Sequence, residues 1–239
     1  MPRDVNPLVP GSAAWWKAQL ERQRSMNTRL LTMDSINVAA CQILDRDGVE
    51  GLTMRNLAAA LHSRAPSLYR HVDGREELLI HVTDYVLGAV SVPEGHTHWQ
   101  GAVEQVAVAL RQVMLEHAWM TRVGIRSPLF GPNALRLREM FWQPMDQAGC
   151  PPEITIRTYY AVVHYTICSA LFAANAFPPQ YRDPSQRVST GLDELLDTLS
   201  ADEYPTVVKL GRYALHPNLE RDFRVGLRAL INGFATDDL

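Results

Sequence analysis

Cysteine is scarce in this 239-residue chain: Cys41, Cys150 and Cys168 are odd in number and none forms a Cys-x-x-Cys pair. A disulfide framework or a cysteine-rich zinc site is therefore not expected, and each reads as a small buried apolar residue. No run of about 18 apolar residues occurs, which argues against a membrane span. The start, Met1-Pro2-Arg3-Asp4, lacks the basic-then-apolar order of an export signal, so the cytoplasm is the expected location. No stretch alternates apolar and polar residues between turn signals, so no sheet is expected, and no internal repeat is visible. The eight histidines form no His-Glu-x-x-His or comparable spacing, although His96 and His98 lie two apart. Nothing joins a nucleophile to a base and an orienting acid. An enzyme is not expected, nor a cofactor, nor a metal site.

What is present is helical and unevenly charged. Residues 1–75 carry net +3 and residues 76–239 net −6, which puts any contact with DNA near the front. Residues 1–29 read as an arm: Pro2, Pro7, Pro10 and Gly11 oppose regular structure, then Ser12 caps a short helix from Ala13 to about Arg24. Ile36, Ala39, Ala40, Ile43 and Leu44 form one helical stripe, closed by Gly48 in a left-handed conformation. Thr53 caps a helix to about Leu61, Pro66 suits the first turn of a third helix over 65–71, and a longer helix runs from Arg75 to about Val90. Beyond Pro93, helices are expected near 98–117, 119–125, 133–149, 153–176, 192–212 and 218–234, with a proline-rich loop at 177–191. The fold class is all-α. A small helical domain over 30–76 follows the arm, and a larger helical domain spans 77–239.

Two short helices on a supporting helix can place the second in a DNA major groove. Spacing alone equally allows a helical hairpin with a solvated face. As a reader, the segment offers Arg55 to a guanine edge and Tyr69 to a thymine methyl or phosphate. Ser67 and the helix amides, with Arg70, His71 and Arg75, suit the phosphate backbone.

The run from Asp45 to Leu79 resembles the DNA-binding domain of the tetracycline-repressor (TetR) family. The resemblance is carried by Gly48, Gly51-Leu52-Thr53, Leu57-Ala58, Leu61, Ser67-Leu68-Tyr69-x-His71-Val72 and Arg75-Glu76-Glu77-Leu78-Leu79. It implies a homodimeric, cytoplasmic repressor that binds palindromic double-stranded operator DNA and is released by a small-molecule effector. By position it implies base contacts from Arg55, Ala65, Pro66 and Tyr69, and phosphate contacts from Met54, Ser67, Arg70, His71 and Arg75. Ala65 stands where tetracycline repressors carry a polar residue, so a different operator is expected. Arg64 is either a phosphate contact or a turn residue. His62, where the family often has glycine, reads as structural.

A weaker resemblance continues through His98-Trp99-Gln100, His117 and the final helix. The imidazole and amide with which that family grips tetracycline–magnesium correspond here to Ser91 and Val106, so tetracycline is not the expected effector. A hydrophobic or aromatic molecule is expected instead, an antibiotic or a biosynthetic metabolite. Its pocket would be lined by Leu110, Met114, Trp119, Met120, Phe130, Phe141, Trp142, Met145, Tyr160, His164, Cys168 and Phe172, with Tyr160 or His164 as the polar tip.

By the same resemblance the helices at 153–176 and 219–234 form the dimer interface, through Ile154, Ala161, Ala170, Ala173 and Ala174 and a stripe of Phe223, Leu227, Leu230, Ile231 and Phe234. Two readings stay open for the arm: Arg22, Arg24 and Arg29 on DNA, or Trp15 and Trp16 packed on the protein. The alternative to effector release is a ligand-independent regulator controlled by a protein partner.

Overall fold

A computed structural model describes residues 9–25, 31–92, 98–123, 130–175, 192–214 and 218–236, and all regular structure among them is helical. The arm contributes α1 (Ala13–Ser25), started as expected by Ser12, whose Oγ accepts the Trp15 N–H at 3.2 Å. Helix α2 (Met33–Gly51) opens on a reciprocal cap between Thr32 and Ser35 and buries Ile36, Ala39, Ala40, Ile43 and Leu44. It breaks at Gly48, whose φ of 70° and ψ of −172° belong to a region essentially reserved for glycine.

Next come α3 (Met54–Ala60), capped by Thr53 Oγ on the Asn56 N–H at 3.1 Å, and α4 (Ala65–Leu68), with proline in its first turn. His62, in the connection between them, has φ 47°; a glycine-favouring backbone fits the structural role expected of it. Leu52, Leu57, Leu68, Val72, Leu78 and Val82 are fully buried and lock these helices onto α2 and α5 (Arg75–Leu87).

The rear of the chain comprises α6 (Trp99–Glu116), α7 (Met120–Val123), α8 (Pro132–Gln147), α9 (Pro152–Asn175), α10 (Leu192–Thr198), α11 (Pro205–Ala214) and α12 (Leu219–Thr236). The single segment expected over 192–212 is thus two helices, the second starting at Pro205, where a missing N–H costs least. The loop expected at 177–191 lies outside the described residues.

Arg111 ties three of the long helices together. Its guanidinium donates to Ser169 on α9 at 3.0 Å and to Glu220 on α12 at 2.6 Å, and lies 4.7 Å from the Phe223 ring centre. Tyr165 stacks on the same ring at 5.6 Å.

Helix α5 packs on α2 in front and on α8 behind. The junction with α8 is polar: Asp84 accepts the Ala134 N–H at 2.9 Å and the Asn133 N–H at 3.2 Å. Those amides belong to the first turn of α8, whose own N-cap, Gly131, has no side chain to offer. A Cβ at Gly131 would collide with the Asp84 carboxylate, so the glycine makes room for a cap supplied by another helix.

Candidate nucleic-acid interface and effector cavity

The nine candidate DNA contacts fall into two groups. Arg55, Pro66, Tyr69 and Arg70 are exposed, with Tyr69 at 51% of its surface; Ser67, Ala65 and Met54 are partly covered, the last two against the core. They sit together on α3, α4 and the turn that follows. His71 and Arg75 differ from the expectation. His71 is buried, and burial, with the Arg70 charge added, holds its pKa below the ordinary histidine value. A neutral, covered imidazole is a poor partner for phosphate. Arg75 is spent internally: its Nε donates to Leu52 O at 2.8 Å and its Nη2 to Val49 O at 2.6 Å, satisfying carbonyls where α2 ends. It is a strut under the reader. Arg64, the residue before α4, is exposed and makes no capping bond.

The arm's tryptophans pack on the protein. Trp15 and Trp16 are each 5% exposed and flank His81 of α5 at ring distances of 5.1 and 5.0 Å. Gln19 donates to Glu77 at 2.9 Å, whose other oxygen accepts the Asp73 N–H at 2.8 Å. Burial pushes the Glu77 carboxyl up, but His81, the Asp73 amide and Arg22 outweigh it and leave its pKa below the usual range. The Arg24 side chain and Arg29 lie outside the described residues.

Between α5 and the rear helices lies a partly open, largely apolar cavity of about 50 Å³. Thr83 and Leu87 of α5 form one side, Leu110 and Met114 of α6 and Met120 of α7 another. Ala134, Leu137 and Arg138 of α8 and Tyr159, Val163 and Ile167 of α9 complete it. Of the twelve residues expected at the effector, Leu110, Met114 and Met120 line this space. Phe141, Met145 and Trp142 sit in or against the core beside it, Phe141 and Trp142 meeting Tyr159 at ring distances of 5.6 and 5.5 Å. Trp119 turns toward the front of the chain and donates its indole N–H to Asp45 at 2.8 Å.

The remaining five are displaced from the expected place. Phe130 is exposed, with Arg138 stacked 5.2 Å from its ring centre. Tyr160, His164, Cys168 and Phe172 follow one another at intervals of four along the outer face of α9, with Tyr160 at 53% and Phe172 at 61% exposure. The reason is helical phase: a step of one residue turns the side chain by about 100°, so Tyr159 faces the cavity and Tyr160 faces away. Conversely, Ile154, Ala170, Phe223, Leu227 and Ile231, expected between subunits, are buried within this chain. These five belong to the core of the chain itself and do not line the cavity.

Residues 92–237 match the family described as tetracyclin repressor-like, C-terminal domain. The chain belongs to the TetR family of transcriptional regulators. A helix-turn-helix regulator of Saccharopolyspora erythraea is 37% identical over 162 residues, 67% of either protein. The repressor DrrR1 of Streptomyces coeruleorubidus is 28% identical over 215 residues, 85% of this chain and 77% of DrrR1. Among solved structures, the TetR family protein ActR of Streptomyces coelicolor, in complex with actinorhodin, is 31% identical, with a TM-score of 0.78 over 87% of this chain and 97% of ActR. TetR family proteins are regulators, not enzymes, and this chain is a TetR-family repressor. Among the described residues no helix is long and apolar enough to cross a membrane.

Proposed function

We propose that this TetR-family repressor binds a palindromic operator as a dimer and is released by a hydrophobic or aromatic small molecule held between α5 and the rear helices. The observation that carries this reading is the cavity's position. Its wall includes α5, the helix that begins at the Arg75 strut beneath the reader, so filling the cavity acts on the element that sets the reader's tilt. Apolar walls suit an apolar ligand, and Arg138 and Tyr159 supply the polar groups that would orient a phenol or a carboxylate. Sites for drug-sized ligands occupy about 300–1,000 Å³, so the walls must give; Met114 and Met120 are the unbranched side chains able to do so.

ActR, crystallised with actinorhodin, supports an effector of this kind by likeness. Tetracycline is not proposed: Ser91 and Val106 supply neither imidazole nor amide, and neither lines the cavity. The effector can shift the reader only by as much as it prefers one tilt over the other.

An operator selected from random duplex DNA, followed by fluorescence anisotropy, tests both halves. Tyr69→Ala is expected to weaken binding by about 1–3 kcal/mol while leaving the oligomeric state unchanged. Fused-ring phenols are expected to release the DNA, and Arg138→Leu to blunt that release. Tight binding that no such compound weakens would favour control by a protein partner instead.

A further inference from the structure

A second cluster of chemistry lies on the other side of α5 from the effector cavity, where the front of the chain meets the rear. Cys41 and Asp45 stand one turn apart on α2, and His117 closes the C-terminus of α6. Their donor atoms converge: Cys41 Sγ lies 3.5 Å from Asp45 Oδ2 and 3.7 Å from His117 Nδ1, which lies 2.8 Å from Asp45 Oδ1. All three donors fall within 4.8 Å of one another.

We propose that Cys41, Asp45 and His117 form a divalent-metal site selective for zinc, which clips the DNA-reading domain to the effector domain. Zinc bonds of about 2.3 Å to sulfur and about 2.0–2.2 Å to nitrogen or oxygen set ligand spacings of roughly 3.3–3.6 Å at a tetrahedral centre. The distances from sulfur to Oδ2 and to Nδ1 already sit near that range, and with Oδ2 as the oxygen ligand the imidazole has to draw away from Oδ1, now 2.8 Å from it. One thiolate, one imidazole and one carboxylate make a borderline-soft set that suits zinc better than magnesium or calcium. Water takes the fourth position.

Charge supports the same occupant. Zn²⁺ against a thiolate and a carboxylate leaves a neutral site, and the thiol proton passes to solvent as the metal binds. The carboxylate is already held by a further donor, because Trp119 Nε1 donates to its other oxygen, Oδ1, at 2.8 Å, as outer partners of metal ligands do. An entry path exists as well. Cys41 and His117 open onto a solvent-facing groove of about 650 Å³ that also includes Asp34, Gln42 and Tyr85.

The ligands come from two domains, so occupancy fixes the angle between α2 and α6. By linkage, any effector that changes this angle changes zinc affinity by the same factor that zinc changes the effector's. This does not depend on what fills the apolar cavity.

The full-length protein, stripped with chelator, should be titrated with Co²⁺ and with Zn²⁺ alone. One equivalent of Co²⁺ per chain is expected, with a thiolate-to-cobalt charge-transfer band and the intense visible bands of a tetrahedral centre, both displaced by Zn²⁺. Cys41→Ser and His117→Gln should abolish the charge-transfer band and the tetrahedral bands respectively, while Cys150→Ser keeps both. Trp119→Phe, which keeps the ligands and removes only the outer donor, should weaken zinc about 10–100-fold. Circular dichroism of each variant confirms the fold. Absence of cobalt or zinc binding in the folded wild type would overturn the proposal. So would a thiolate band that survives Cys41→Ser, since that places the metal on another cysteine.

Discussion

His71 shows how burial changes what a residue can do. Its resemblance-based role was a phosphate contact, yet its ring is covered and Nε2 has no hydrogen-bond partner among the described atoms. Burial lowers its pKa from the ordinary 6.5, so the folded protein holds it neutral while the unfolded chain takes up a proton below that value. The unfolded state then binds more protons, and stability falls as pH drops from about 6.5 toward the depressed folded value. Thermal melts of the wild type between pH 7 and 5 are expected to fall more steeply than those of His71→Leu. Parallel curves would show that the imidazole titrates alike in the folded and unfolded chain. Arg75 teaches the complementary lesson, since two backbone carbonyls occupy its guanidinium.

At the scale of elements, the junction of α5 and α8 borders the cavity, and a buried carboxylate helps to hold it. Asp84 is buried and caps an α-helix to which it does not belong. Removing it leaves the first amides of α8 facing an apolar gap, at a cost of about 1–3 kcal/mol. Asp84→Ala is therefore expected to lower the melting temperature and, by loosening α5 from α8, to weaken the effector's hold over DNA binding. Measuring operator affinity with and without effector in that variant separates the two effects; unchanged coupling would mean that α5 reports through α6 instead.

Helix starts and stops were legible because caps and breakers are local: Ser12, Thr53, Gly48 and Pro66 all act where the sequence places them. Helix faces were harder to read. Helix α9 is apolar nearly all round, so its pattern could not say whether Tyr159 or Tyr160 points inward; only packing against α8 decides. The Asp84 cap and the Cys41–Asp45–His117 cluster join residues 50 and 72–76 positions apart, and no spacing rule reaches that far.

At the scale of the whole molecule, the outer face of α9 remains to be covered. Ile156, Tyr160 and Phe172 on α9 and Val225 on α12 are exposed by 37–61% on helices that otherwise pack well. A run of exposed apolar side chains on adjacent long helices is the surface expected to meet another copy of the chain. One reader at a single half-site buys too little affinity, whereas two joined rigidly gain about 10²–10⁴-fold from effective concentration. Replacing Tyr160 and Phe172 together by glutamate places two charges on this face without touching the effector cavity or the reader. Ultracentrifugation should then find monomers, and affinity for the intact palindrome should fall by about 100-fold or more, toward that of an isolated half-site. Folding should be preserved, because both side chains already face solvent. A double variant that stays dimeric would move the interface off α9, and one that is monomeric yet binds the palindrome undiminished would remove the need for a dimer.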